Sequence, residues 1–215
     1  IALTLLHMEH PNAVQIGDAG FGFGRDSRLN AALRKPGLRF FRGNHDEPAR
    51  CRAHPRHLRS GWHEQEQMFV IGGGFSIDKA RRIPGRSWWP EEEHNARELD
   101  TLLEQFVDVK PRLVLSHEGP ESVADAMFTP RVKYPSRTAQ ALQAMLEAHQ
   151  PDLWLFGHWH RNRELQVGKT LFCCVGEKQT RDIHLPACPL FDEAATPSTK
   201  KLADRLEKMR NASPQ

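Results

Sequence analysis

Four short apolar runs in this chain each lead into an oxygen- or nitrogen-bearing side chain, and that repetition constrains the fold more than any other feature. Ala13–Ile16 runs into Gly17-Asp18, and Leu38–Phe41 runs into Arg42-Gly43-Asn44-His45-Asp46. Residues 113–115 run into Ser116-His117-Glu118, and Leu153–Phe156 into Gly157-His158-Trp159-His160. Such runs, rich in Val, Ile, Leu and Phe and bounded by turn residues, read as buried strands, as do Met68–Ile71 and residues 170–175. Segments of helical period lie between them. Residues 91–107 place Leu99, Leu102, Leu103 and Phe106 on one face behind an acidic first turn, Glu91-Glu92-Glu93. Residues 136–149 open on a Ser136 cap, carry Ala139, Leu142, Met145 and Leu146 on one stripe, and stop before Pro151. Strands alternating with helices predict a layered α/β domain. In such sheets ligands gather beyond the C-terminal ends of the strands, which is where these Asp, Asn and His residues fall.

Each group alone has an ordinary explanation. Gly-Asp after a strand is usually a turn, and a single His there is usually a polar terminus. His158-Trp159-His160 is more specific, because the middle residue can turn away while two imidazoles converge. The conjunction decides: independent turns would not all choose O and N ligands for metal ions.

Composition narrows the class. A chain of 215 residues is long enough for one well-buried domain. No apolar run approaches the ~18 residues a membrane span needs, and the net charge of +3 is too small to imply a polyanion partner. Cys51, Cys173, Cys174 and Cys188 lack C-x-x-C spacing and read as structural thiols, with a reducing cytoplasm as the default compartment.

Gly-Asp, Gly-Asn-His-Asp, a strand-end His and Gly-His-x-His, in that order, resemble the calcineurin-like metallophosphoesterase superfamily, over about residues 12–160. The segments Gly73-Gly74-Phe75-Ser76-Ile77-Asp78 and Ser87-Trp88-Trp89 resemble its compact phage and bacterial members. The resemblance implies a two-sheet sandwich flanked by helices over residues 1–191, with 192–215 a polar tail or a docked helix. It implies two divalent metal ions, from Mn, Fe or Zn. Asp18 would bridge them, Asn44, His117 and His158 would complete one site, and His160 would bind the other. His45, held by Asp46, would stand beside the leaving group. The implied activity is hydrolysis of a phosphomonoester or phosphodiester by a hydroxide shared between the metals. The alternative is a metal- or phosphate-binding domain without turnover. That alternative arises because the superfamily's opening Asp-x-His, at the end of its first strand, has no counterpart before Gly17-Asp18. On this reading the N-terminal strand is missing, and His7 and His10 are helix-surface residues.

Other residues carry weaker readings. Arg42 either reaches phosphate or pairs structurally. Lys79, Arg81, Arg82 and Arg86 read as a solvated basic loop, and Trp88-Trp89 as packing rather than a stacking wall for a base. Arg50, Arg52, Arg56 and Arg59 could steer a polyanion but follow no pattern of a nucleic-acid module. The expected partner is a phosphate ester, with no membrane partner.

Overall fold

A computed structural model describes residues 13–24, 26–34, 37–129 and 134–183. His7, His10, Cys188 and the tail from 192 lie outside them. Two sheets form the centre. In the smaller, β1 (Ala13–Ile16) pairs in parallel with β2 (Leu38–Phe41). The larger has six strands: β3 (Gly61–His63), β4 (Met68–Ile71), β5 (Leu113–Ser116), β6 (Leu153–Phe156), β7 (Arg163–Val167) and β8 (Thr170–Cys174). Their order is β3-β4-β5-β6-β8-β7. The inner strands β4, β5, β6 and β8 are mutually parallel, while β3 and β7 run antiparallel at the edges.

The period-two alternation of side chains sorts each inner strand between two cores. Val70, Leu115, Leu155 and Cys173 face the small sheet and meet Phe41, Val14 and Ile16. Their neighbours Phe69, Ile71, Val114, Trp154, Phe156 and Phe172 face the opposite way, onto helices α3 (Ala96–Val109) and α5 (Arg137–Ala148). Phe40, adjacent to Phe41, points to the far side of the small sheet, against Phe21, Leu29, Leu33 and Cys51. There lie α1 (Asp26–Ala32) and α2 (Pro48–Ala53). A shorter helix, α4 (Glu121–Phe128), completes the set. The result is helix, sheet, sheet, helix: the expected sandwich. Each fully buried large side chain contributes about 1.5–3 kcal/mol to holding these layers together.

Two expectations need correction. The Glu91-Glu92-Glu93 triplet is not the first turn of α3, which starts at Ala96 behind Asn95. Asn95 Oδ1 accepts from the Glu98 N–H at 3.0 Å and Glu98 accepts from the Asn95 N–H at 2.9 Å. The helix begins where this reciprocal capping box is available. Residues Pro90–Glu92 instead form a 3-10 turn that turns Glu92 inward, leaving it 2% exposed. The Ser136 cap stands as expected, its Oγ accepting from the Ala139 N–H at 3.0 Å. The second correction concerns the basic loop: Lys79, Arg81 and Arg86 are exposed, but the Arg82 side chain is buried.

Candidate metal centre

The two sheets meet where their parallel strands end. His117, one residue past β5, reaches across so that its Nδ1 lies 2.9 Å from the Ile16 carbonyl at the end of β1. A carbonyl only accepts, so Nδ1 carries the proton in this bond and donates it. The other ring nitrogen, Nε2, lies 2.9 Å from Asn44 Oδ1 and 3.4 Å from Asp18 Oδ1. From the far side, His158 Nδ1 comes within 3.1 Å of the same Asn44 oxygen. Four side chains from the ends of β1, β2, β5 and β6 thus converge, with the Asn44 amide oxygen as their hub.

Close approach sets the glycines in these motifs. A Cβ on Gly17, whose φ is +95°, would stand 2.2 Å from His117 Nδ1. A Cβ on Gly43 would stand 2.1 Å from Asp18 Oδ1. Only bare backbone lets the loops after β1 and β2 pack against the imidazole. Asp18, His158 and His160 have φ of 54°, 66° and 55°, a left-handed conformation that costs a non-glycine residue energy and gathers at functional sites.

Electrostatics bind the cluster together. Burial would raise the Asp18 pKa, but His117 and the His45 backbone N–H, which donates to Asp18 Oδ1 at 2.8 Å, hold it well below the usual carboxylate range. Burial would lower His117, yet the Asp18 charge and hydrogen bond and the Ile16 carbonyl push it up to about 9. Burial, then the neighbouring His117, pushes His158 down to about 3. The three donor–donor distances, 2.9, 3.1 and 3.4 Å, suit a shared cation. Donors about 2.0–2.2 Å from one ion stand roughly 2.9–3.6 Å from each other. Among the described residues no group of three His, Cys, Asp or Glu side chains makes a metal site by itself. The donor set depends on the Asn44 amide oxygen, and nitrogen and oxygen donors of this kind suit a divalent metal ion.

The rings of His160 and His45 make no hydrogen bond to this group, although the His45 backbone N–H holds Asp18. His160 is exposed, outside the hydrogen-bonded cluster. The His45 ring, lowered in pKa chiefly by burial, tilts against Phe23 at 6.4 Å, and Phe23 packs edge-on to Trp89 at 5.7 Å. Trp89 is half-buried in that contact.

Asp46 does not hold the His45 imidazole. Its carboxylate is fully buried and accepts from the backbone N–H groups of Ala19, Gly20, Phe21 and Gly43, at 2.6–3.2 Å. Burial and the nearby Asp18 push it up to about 6 against these bonds. Its geometry is that of a clamp tying the loop after β1 to the loop after β2. Arg42 is likewise structural, 5% exposed with Nη1 donating to the Glu92 carbonyl at 2.6 Å. Cys51, Cys173 and Cys174 are free and buried, and burial pushes all three thiols up, away from the reactive thiolate.

Behind Asn44 lies a group that the sequence reading missed. Asn44 Nδ2 donates to Ser76 Oγ at 3.0 Å, and Ser76 in turn donates to the Glu92 carboxylate. Arg82 binds Glu92 Oε1 at 2.5 Å and Ser76 Oγ at 2.8 Å. Burial pushes Glu92 up to about 7, with Ser76 and Arg82 pulling the other way.

The sequence profile of the calcineurin-like phosphoesterases matches residues 14–162, a span that includes every residue of this cluster. No curated protein matches the chain. Among the described residues no helix is long and apolar enough to cross a membrane.

Proposed function

The chain belongs to the calcineurin-like phosphoesterase family, and from that premise we propose that it hydrolyses a phosphomonoester or phosphodiester with the help of two divalent metal ions. Asp18, Asn44, His117 and His158 would hold one ion, and His160 with the shared Asp18 would hold the second less firmly. When bound, such ions supply a nucleophile at neutral pH and neutralise charge on the phosphoryl group. The protein's own part is to aim lone pairs. The Ile16 carbonyl fixes the His117 tautomer so that Nε2 faces inward, and Ser76 fixes the Asn44 amide. His45 would give a proton to the departing oxygen, from the rim that Phe23 and Trp89 share. The observation that carries this reading is the convergence of two histidines from different strands on Asn44 Oδ1, with Asp18 beside one of them.

A second reading, metal or phosphate binding without turnover, is favoured by the exposure of His160, which makes no hydrogen bond to the cluster. One experiment separates the two. Protein stripped with a chelator is reloaded with Mn, Zn or Mg, its metal content measured, and its activity followed on p-nitrophenyl phosphate and bis(p-nitrophenyl) phosphate. The expected outcome is hydrolysis that chelator abolishes and Mn restores, with nearer one firmly retained ion than two. A retained ion with no hydrolysis of either ester would establish the binding reading instead.

A further inference from the structure

Asparagine is an ambiguous ligand, because its amide oxygen and nitrogen are nearly the same size and only the oxygen has a lone pair for a cation. Some neighbour must specify which end faces the histidines. Asn44 is 3% exposed, and its Nδ2 end meets Ser76 Oγ. A serine hydroxyl alone would not decide, since it can donate or accept. Here its single proton is committed: Ser76 Oγ donates to Glu92 Oε2, and an ionised carboxylate accepts only. Arg82 Nη1 takes a second place on the hydroxyl, again as donor, at 2.8 Å. The place left on Ser76 is a lone pair. Asn44 must therefore offer it an N–H, which leaves Oδ1 facing His117 and His158.

The surroundings fix this arrangement. Ser76 is 3% and Glu92 2% exposed. Arg82 grips Glu92 with Nη2 at 2.5 Å, and the same nitrogen reaches the Asn44 carbonyl at 3.4 Å. The Glu92 carbonyl accepts from Arg42 Nη1 at 2.6 Å and from the Gly74 N–H at 3.1 Å. Gly73, with φ +85°, is required there, since a Cβ would lie 2.2 Å from the Glu92 oxygen. Residues 72–78 and 82–92 together build a buried polar chain that ends on one face of one amide.

We propose that Ser76, Glu92 and Arg82 form a polarity relay that dictates the orientation of the Asn44 amide and so makes it a metal ligand. These are positioning residues, and the inference rests on the reading of Asn44 as a ligand. Glu92→Gln is the decisive variant. It keeps the size and shape of the side chain but places an amide N–H against Ser76 while its oxygen stays with Arg82. Ser76 is then free to donate to Asn44, and the amide turns over.

The test is Mn affinity of the stripped full chain, measured calorimetrically at pH 8, above the value of about 7 to which burial pushes Glu92, with the melting temperature of each metal-free variant alongside. Glu92→Gln and Ser76→Ala should each weaken Mn binding about 10–100-fold, the usual scale for partners that orient a ligand. Ser76→Thr, which keeps the hydroxyl, should restore it, and because Glu92→Gln also uncharges the buried partner of Arg82, its Mn affinity is read well below its own, lowered, metal-free melting temperature. Asn44→Ala is the control. If Asn44→Ala loses Mn affinity while Glu92→Gln and Ser76→Ala bind within twofold of the parent, the relay is overturned and the metal site stands. If Asn44→Ala itself binds Mn as tightly as the parent, the ligand reading fails and the relay with it.

Discussion

On the inner side of the candidate site, Asn44 and His117 are 3% and 2% exposed, and both polar atoms of each side chain have protein partners. On the outer side, His160 is exposed and His45 touches the protein through a ring contact with Phe23, itself 37% exposed. The inner half is fixed by folding. Its lone pairs are aimed by backbone carbonyls, glycine contacts and a buried polar chain before any ligand arrives. On the proposed function the outer half is where an ester would enter, so protein groups would have to leave it open. Preorganisation where charge is to be held, and openness where a substrate must come and go, divide a single set of strand ends into two environments.

Substitutions that separate rate from folding sharpen this contrast. The largest effect is expected at His45 on the open side. His45→Ala should lower kcat by about 10²–10⁴-fold on an alkyl phosphate, the range for general acid help, with metal content unchanged. On p-nitrophenyl phosphate, whose leaving group needs little protonation, the loss should be much smaller. An equal loss on both esters would point to phosphate positioning instead.

Asp46 tests the inner half through stability. Asp46→Ala would strand four backbone N–H groups, buried at Phe21 and Gly43 and half-buried at Ala19 and Gly20, each costing about 1–3 kcal/mol where water does not reach it. With partial relief by water, a fall in melting temperature of about 10 °C is expected, at roughly 2–4 °C per kcal/mol for a chain of this size. Were Asp46 instead the orienter of His45, Asp46→Asn would reproduce the kinetic pattern of His45→Ala with little change in melting temperature. Differential scanning fluorimetry beside steady-state kinetics decides.

The smallest effect belongs to the rim. Phe23→Ala removes a ring contact of about 0.5–1.5 kcal/mol, so KM for an aryl phosphate should rise by roughly 2–12-fold, with KM for a small alkyl phosphate and the melting temperature unchanged. A drop in melting temperature would show that Phe23 serves the packing of Trp89 rather than the substrate.

What the sequence determined by itself was the set of groups carried by strong local signals. Apolar runs marked β1, β2, β4, β5, β6 and β8; Gln15 and Arg39 interrupt the half-buried β1 and the partly buried β2, whereas β4 and β6, inner strands covered on both faces, need no polar positions. The Ser136 cap and the 3.6-residue stripes marked α5 and most of α3. Asp18, Asn44, His117 and His158 were legible because each follows one of those runs, where parallel strands must place it near the others. The edge strands β3 and β7 were not legible: Arg163–Val167 is largely exposed and has little apolar signal to read. Nor were the roles of Asp46, Arg82 and Glu92. As letters they are ordinary charged residues in loops, and their tasks depend on partners far along the chain. Glu92 meets Arg42 across 50 positions, and Asp46 meets Ala19 across 27. Burial turns such a charge from a solvated surface group into one that must find hydrogen bonds, and burial is decided only when the two sheets close over these loops.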